Sequence, residues 1–294
     1  MARNKGNSTV SKILKYVIII LFLLTVGIFG YALTIYFFTD PDSDILVVNQ
    51  IQQEQEPITK ASIDDISKNL IYGYDKKTGE INHIVLEIFH CKKKQLTYIT
   101  IPTRTQFTMS DTLYRKLVPD YPSIPQVIKL SAMSKYLDDD TRFDYGVLIL
   151  EDLLGIDISY YTAIPQEIFD EIFTMDEITR VKDTDAEDEK TEDDVNKEVV
   201  QAAVFKASYK KKMEKLKTKE DLSNYLEELY SEITSNLSLH DKMNYLDSYC
   251  KTSISNVSFD LIRGDDRNSA FVMNTTLAEK QLAQLIAADT TESK

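Results

Sequence analysis

The 294-residue chain holds only two cysteines, Cys91 and Cys250, and contains neither a Cys-x-x-Cys nor a His-Glu-x-x-His spacing. The common zinc sites are thereby excluded, and its three histidines (His83, His90 and His240) also lack zinc-ligand spacing. His83 and His90 fall in a strand-like stretch, where a structural role is expected. The two cysteines can form one disulfide or stay as separate buried thiols, and sequence does not decide between them. No Gly-rich loop precedes a Gly-Lys-Ser/Thr, so Gly73-Tyr74-Asp75 is not a phosphate-binding loop. No period of 20 to 50 residues repeats. Positive charge is scarce: 34 Lys and Arg face 47 Asp and Glu, for a net charge of −13. That balance gives no electrostatic footprint for nucleic acid and disfavours contact with anionic lipid or wall polymer.

One long stretch lacks charge altogether. Residues 16–38 (YVIIILFLLTVGIFGYALTIYFF) form an uncharged run. At a rise of ~1.5 Å per residue it reaches roughly 35 Å, enough to cross a hydrocarbon core of about 30 Å. Arg3, Lys5, Lys12 and Lys15 precede it, with no acid among residues 1–15, and Asp40, Asp42 and Asp44 follow it. The positive-inside rule then predicts a cytoplasmic tail (1–15), a single span (16–38) and an extracellular remainder on the cell membrane. Tyr16, Tyr31 and Tyr36 suit the two interfaces. A cleaved signal peptide is the competing reading. Its apolar core runs about 7–15 residues before small residues at the cut, whereas this run is longer and ends in Tyr36, Phe37 and Phe38.

Residues 39–62 are polar, with Pro41 and Pro57, and read as a stalk. A short strand is predicted at 70–74. Residues 81–90 (INHIVLEIFH) and 95–101 (QLTYITI) read as strands apolar on both faces, hence central and covered on both sides. Residues 103–125 look irregular, 126–137 helical. A helix over 143–154 places Phe143, Val147, Leu150 and Leu154 on one face, with Gly155 as a left-handed C-cap. Residues 158–164 read as a strand, and Pro165 opens a short helix that buries Ile168, Phe169, Ile172 and Phe173. Residues 176–194 hold ten acids against three bases and read as a solvated, disordered loop. A calcium loop is the alternative, but the EF-hand spacing is absent. From Lys197 onward helices are predicted. Thr218 caps one running to about residue 235, with Asp221 at N3, and Ser238 caps another, with Asp241 at N3. Residues 257–262 and 270–273 read as a hairpin, with Gly264-Asp265 in its turn; the Arg263-Gly264-Asp265 tripeptide is best explained by that turn. Residues 276–294 form a closing helix and tail. Together these elements predict an α/β domain of mixed α+β type over 63–275, with helices packed on a central mixed sheet.

Five segments occur in order over about residues 67–250: 96–105 (LTYITIPTRT), 129–136 (KLSAMSKY), 150–161 (LEDLLGIDISYY), the helix 165–173, and 235–241 (SNLSLHD). Behind a membrane anchor this series resembles the LytR–CpsA–Psr (LCP) family of Gram-positive envelope proteins. The resemblance implies an extracytoplasmic phosphotransferase that moves a glycopolymer from a polyprenyl-pyrophosphate lipid onto peptidoglycan. It implies Mg2+ as cofactor where the site is active. Phosphoryl transfer needs cations and a metal around oxygens whose charge shifts, and arginine grips phosphate through its planar fork.

Mapped residue by residue, Asp75 matches an early Gly-x-Asp aspartate, implying a catalytic Mg2+ ligand. Arg104, the other catalytic candidate, stands one place after the family's arginine position, which is Thr103. Lys129 matches a family lysine or arginine and is a candidate for substrate binding. Arg115 and Arg142 are further candidates that match no motif position. The Arg-Ser-Asp-Thr expected after Asp75 is replaced by Ile81-Asn82-His83-Ile84. The late Arg-x-x-Arg-Gln element survives only as Lys197 and Gln201, and the family's usual strand after Phe173 is missing. Losing one donor to a charged transition state costs about 2.7–4 kcal/mol. The expectation is therefore an envelope protein with reduced transfer, or a binding or scaffold module without it. A one-pass sensor is not supported, because about 15 inside residues form no signalling domain.

Overall fold

The structure, a computed structural model, describes residues 58–182 and 197–287. The expected anchor at 16–38, the tail before it, the stalk up to residue 57, residues 183–194 of the acidic segment and the chain from 288 lie outside the described residues. No helix among the described residues is long and apolar enough to cross a membrane.

In chain order the elements are β1 (Ile66–Tyr74), β2 (Ile81–His90), β3 (Gln95–Thr100), β4 (Gln106–Thr108), α1 (Asp111–Leu117), β5 (Val127–Lys129), α2 (Met133–Tyr136), α3 (Arg142–Leu154), β6 (Tyr160–Pro165), α4 (Gln166–Ile172), β7 (Phe173–Val181), β8 (Lys197–Phe205), α5 (Ala207–Lys215), α6 (Lys219–Tyr230), β9 (Thr234–Ser235), α7 (Leu239–Lys242), α8 (Leu246–Cys250), β10 (Val257–Leu261), β11 (Gly264–Arg267), β12 (Ala270–Met273) and α9 (Thr275–Ile286). Six of the strands form one sheet in the order β10-β3-β2-β1-β6-β9. β2 lies antiparallel between β1 and β3, β6 adds in parallel to β1, and β10 adds in parallel to β3. Strands β1, β3, β6 and β10 therefore share one direction. The mixed α+β architecture with helices on a central mixed sheet matches the sequence expectation.

Period-two alternation explains why the central strands are apolar throughout. Leu70, Tyr72, Ile84, Leu86 and Ile99 join one core with α3 and α9, while Ile71, Val85, Phe89 and Tyr98 join a second core on the opposite face. Helix α3 buries Phe143, Val147, Leu150 and Leu154 as its periodicity predicts, and Gly155 ends it at φ 66°. Gly146 lies where a Cβ would come 2.6 Å from the hydroxyl of fully buried Tyr72. Gly146→Ala is expected to lose about 1–3 kcal/mol through overpacking, more than the ~1 kcal/mol a helical alanine returns. A lowered urea midpoint with an unchanged slope checks this.

Several sequence expectations are corrected. Residues 176–181 are strand, not loop: β7 pairs antiparallel with β8 in a two-stranded ribbon, running from Phe173↔Phe205 to Val181↔Lys197. The acids of β7 face solvent, and their partner lies across the acidic segment, where local composition does not reveal it. Residues 197–205 are accordingly strand rather than helix, and a strand does follow Phe173. Residues 126–137 begin as β5, paired with β4, and keep only a short helix, α2. Residues 103–125, read as irregular, contain β4 and α1. Strand β1 starts earlier than expected, at Ile66, and α6 ends at Tyr230 because Thr234–Ser235 pair with β6. Residues 257–262 do not form a hairpin with 270–273. β10 instead joins β3 in the main sheet, and β12 pairs with β11 around Asn268, which takes the left-handed conformation at φ 53°. Gly264 and Asp265 are therefore strand residues. Both cysteines are free thiols. The predicted caps are present: Thr218 and Ser238 accept from the backbone N–H of Asp221 and Asp241.

Candidate functional site

Open α/β sheets bind ligands beyond the carboxyl ends of their strands. A cleft of about 540 Å³ lies at that edge, against the ends of β3 and β10 and the start of β2, bounded by the β7–β8 ribbon and the β11–β12 hairpin. Its charged lining is two guanidinium groups, Arg104 and Arg180, against three carboxylates, Glu198, Asp265 and Asp266. Arg104 sits just past β3 and meets both carboxylate oxygens of Asp266 with its two terminal nitrogens. This contact holds Asp266 below, and Arg104 above, its ordinary pKa. Arg180, 8% exposed, is bound by Glu198 and donates to the carbonyls of Leu261 (2.7 Å) and Ile262 (3.4 Å); Asp260 stands 3.8 Å away. Both cations are thus already met by carboxylates of the chain.

The five sequence candidates fall into three places. Asp75 is in the β1–β2 turn, where Oδ1 accepts from the N–H groups of Lys77 (2.7 Å) and Thr78 (3.0 Å). These bonds, Thr78's first, keep its carboxyl below the usual range. Arg142 is buried against the same turn, donating to the Gly79 carbonyl and pairing with Asp139. Burial pulls its guanidinium below its ordinary pKa. Arg104 and Lys129 share the β11–β12 hairpin: Lys129 Nζ donates to the Ser269 carbonyl (3.2 Å) while Arg104 holds Asp266. Arg115 is exposed on α1. Of these five residues, Arg104 alone lines the cleft.

The donors at the cleft do not fit a divalent ion. Asp266 and Glu198 are each engaged by an arginine, Asp75 lies in a turn outside the cleft lining, and no three His, Cys, Asp or Glu converge among the described residues.

His83 lines the cleft and stacks on Phe169 (4.6 Å between centroids, 2° between planes). Burial lowers its pKa from 6.5, and Asp170 opposes the shift. The unfolded chain therefore takes this proton first as pH falls. His83's stabilising contribution is complete above about pH 6.5 and is lost as pH drops through the folded value. Urea midpoints at pH 7 and pH 5 are expected to differ less in His83→Gln than in the parent chain.

The face of the sheet that carries the second core holds an apolar cavity of about 120 Å³ beneath α5 and α6, walled by residues such as Ile71, Tyr98, Met213 and Leu226. A further pocket of about 50 Å³ adjoins it, sharing Leu96, Tyr209 and Tyr225. Its base is polar. Lys242, 8% exposed, donates to Tyr160 Oη (2.6 Å) and Tyr249 Oη (3.0 Å), Tyr249 donates to Glu87 Oε1 (2.9 Å), and Lys242 Nζ lies 3.8 Å from the same oxygen. Along β3 and β8, a bond from Ala203 N–H to Thr100 Oγ1 (2.8 Å) and packed rings of Tyr98, Phe173, Phe205 and Phe259 stand between cleft and cavity.

Sequence reasoning missed Arg180, Glu198, Asp266, Glu87 and Lys242. One signal was present: Arg180 is the sole arginine in the acidic run 176–194. The pairing that buries it was not visible.

No family model matches the chain, and no curated protein matches it. Solved structures do. The chain is similar to TagV from B. subtilis (TM-score 0.48, 11% identity, covering 76% of this chain and 98% of that one). It is similar to TagT in a structure bound to LI-WTA (0.45, 14%, 79% and 96%). It is also similar to protein gbs0355 from Streptococcus agalactiae (0.49, 11%, 78% and 90%). TagV and TagT are LytR–CpsA–Psr proteins, the family whose motifs the sequence resembles. With identities of 11 to 14% and TM-scores below 0.5, the functional reading rests on this chain's own residues.

Proposed function

We propose that the chain is an LCP-like protein of cell-envelope assembly, held to the cell membrane by residues 16–38, whose outer domain meets polyprenyl-pyrophosphate-linked glycopolymer near peptidoglycan with reduced phosphoryl transfer. The observation that carries the reduction is the charge state of the cleft: both arginines that line it are already met by Asp266 and Glu198. A pyrophosphate must displace one of these carboxylates before it gains a bidentate partner. The ordered segments that resemble LCP proteins support the envelope role. A cavity of about 120 Å³ is below the usual 300–1,000 Å³ of a ligand pocket, so it takes a short apolar segment rather than a long chain.

The test is transfer or hydrolysis of a polyprenyl-pyrophosphate substrate by the full chain in lipid nanodiscs, with and without Mg2+. Slow turnover that falls roughly 10²–10³-fold in Arg104→Ala is expected. Turnover indifferent to Arg104 would remove the cleft from the chemistry. Binding without turnover would favour the second reading, a non-catalytic scaffold, for which the cleft's excess of carboxylates over guanidinium groups speaks.

A further inference from the structure

A net charge of −13 disfavours anionic surfaces for the chain as a whole, but its lysines are segregated. Residues 206–219 hold seven lysines against the single acid Glu214. Helix α5 turns Tyr209, Met213 and Leu216 inward, where they line the smaller pocket. Helical periodicity then leaves Lys211 and Lys215 on the opposite side, and both are exposed. The basic surface continues past the helix. Lys217 donates to the Thr252 carbonyl (3.4 Å), Lys219 and Lys251 both meet Asp247 (3.0 and 2.5 Å), and Lys94 donates to Ser248 Oγ (2.9 Å). Helix α8 thus joins α5 to the Lys92-Lys93-Lys94 run of the β2–β3 turn. The acids Asp247 and Asp65 are each met by a lysine, Asp65 by Lys92, whereas Lys210, Lys211 and Lys215 form no ion pair among the described residues. No arginine falls within residues 206–251 or in the turn. Ammonium groups are point charges on flexible stems, suited to a surface of diffuse negative charge rather than to one clamped phosphate. The same edge lies beside the start of the described chain: Asp64 N–H donates to Tyr245 Oη (2.9 Å), and Asp65 accepts from Cys91 N–H (2.9 Å). Residues 39–57 alone separate that start from the proposed span, at most ~65 Å when extended, so a bilayer is the anionic surface kept within reach.

We infer that the lysine edge formed by α5, Lys217, Lys219, Lys251 and the β2–β3 turn docks on the anionic headgroups of the bilayer that the span crosses. Each lysine near such a surface strengthens association about 5-fold, and salt weakens it. The inference rests on the membrane reading of residues 16–38, not on phosphoryl transfer.

The test places the full chain in nanodiscs of phosphatidylcholine, with or without phosphatidylglycerol. Acetylation of individual lysines by an uncharged N-hydroxysuccinimide ester is followed by mass spectrometry. With phosphatidylglycerol, Lys211 and Lys215 are expected to react about 5-fold more slowly. Lys116 on α1 and Lys135 on α2, exposed on other elements, are expected to keep their rates. High salt is expected to restore the fast rates. Reversing the turn's charge in Lys92→Glu with Lys93→Glu is expected to abolish the protection at Lys211 and Lys215, because the edge docks as one surface. Equal rates in the two discs overturn the inference, as does protection that survives high salt or the charge reversal. Protection by soluble polyphosphate but not by phosphatidylglycerol also overturns it, making the edge a polymer site. Should the reversed variant fail to fold, the lipid and salt comparisons of the parent decide. Co-elution of the chain with the discs reports the span by itself, so a failed anchor and a failed docking surface are separable.

Discussion

Lys242→Met is expected to cost the fold about 3–5 kcal/mol, the scale for removing one partner of a buried ion pair. The lysine lies on the second core face of the sheet, among the rings of Tyr160, Tyr245 and Tyr249. Its removal strands Glu87, 6% exposed, which accepts from Tyr249 but loses the positive charge that faced it at 3.8 Å. The mechanism makes a second claim that a simple cavity cost does not. Replacing both charges, in Lys242→Met with Glu87→Met, is expected to recover most of the loss, because a buried pair exchanged for packed apolar groups is often neutral. The two changes are then strongly non-additive. Urea unfolding of the parent, both single variants and the double variant checks this. A double variant as unstable as the sum of the singles would show that the pair is not acting as a unit.

Arg180→Met is expected to cost about 3 kcal/mol, at the lower end for a buried pair because Glu198 keeps some solvent contact. The loss has a location. Arg180 is a tie between the ribbon and the end of β10, through the carbonyls of Leu261 and Ile262. Without it the ribbon is expected to open before the sheet does. Amide exchange at Ala202, Ala203 and Val204 should speed up well beyond that at Leu86 or Ile88 in β2. Arg180→Lys is expected to rescue only part, since an ammonium cannot span two carbonyls and a carboxylate in one plane. Uniform acceleration across both strands would mean that the ribbon and the sheet open together.

What could be read from the sequence divides along the range of the interactions involved. Strands β2 and β3, helix α3 with its Gly155 cap, and the Thr218 and Ser238 caps depend on neighbours a few residues away, and each appears where the pattern places it. The β7–β8 ribbon, the joining of β10 to β3 and the pairing of β4 with β5 depend on distant partners, and each was misread. The candidate site suffered more than the fold. The neighbouring motif marks Arg104, but its engagement by Asp266 depends on the β11–β12 pairing, which local pattern does not reveal. Arg180 and Lys242 were invisible for the same reason: a charge in a polar stretch reads as solvated until the fold buries it.

The order of strands in the sheet also dictates an order of assembly. β1, β2 and β3 are consecutive neighbours joined by short turns, so the middle of the sheet closes at little entropic cost. Its flanks are the opposite: β10 must return to β3 across the whole stretch from Leu96 to Val257. Wherever the chain folds, a centre that closes first has both apolar faces bare and both edges unpaired until the strands that flank it join. The folding chain therefore passes through a stage at which a shielding companion matters more than the stability of the finished domain.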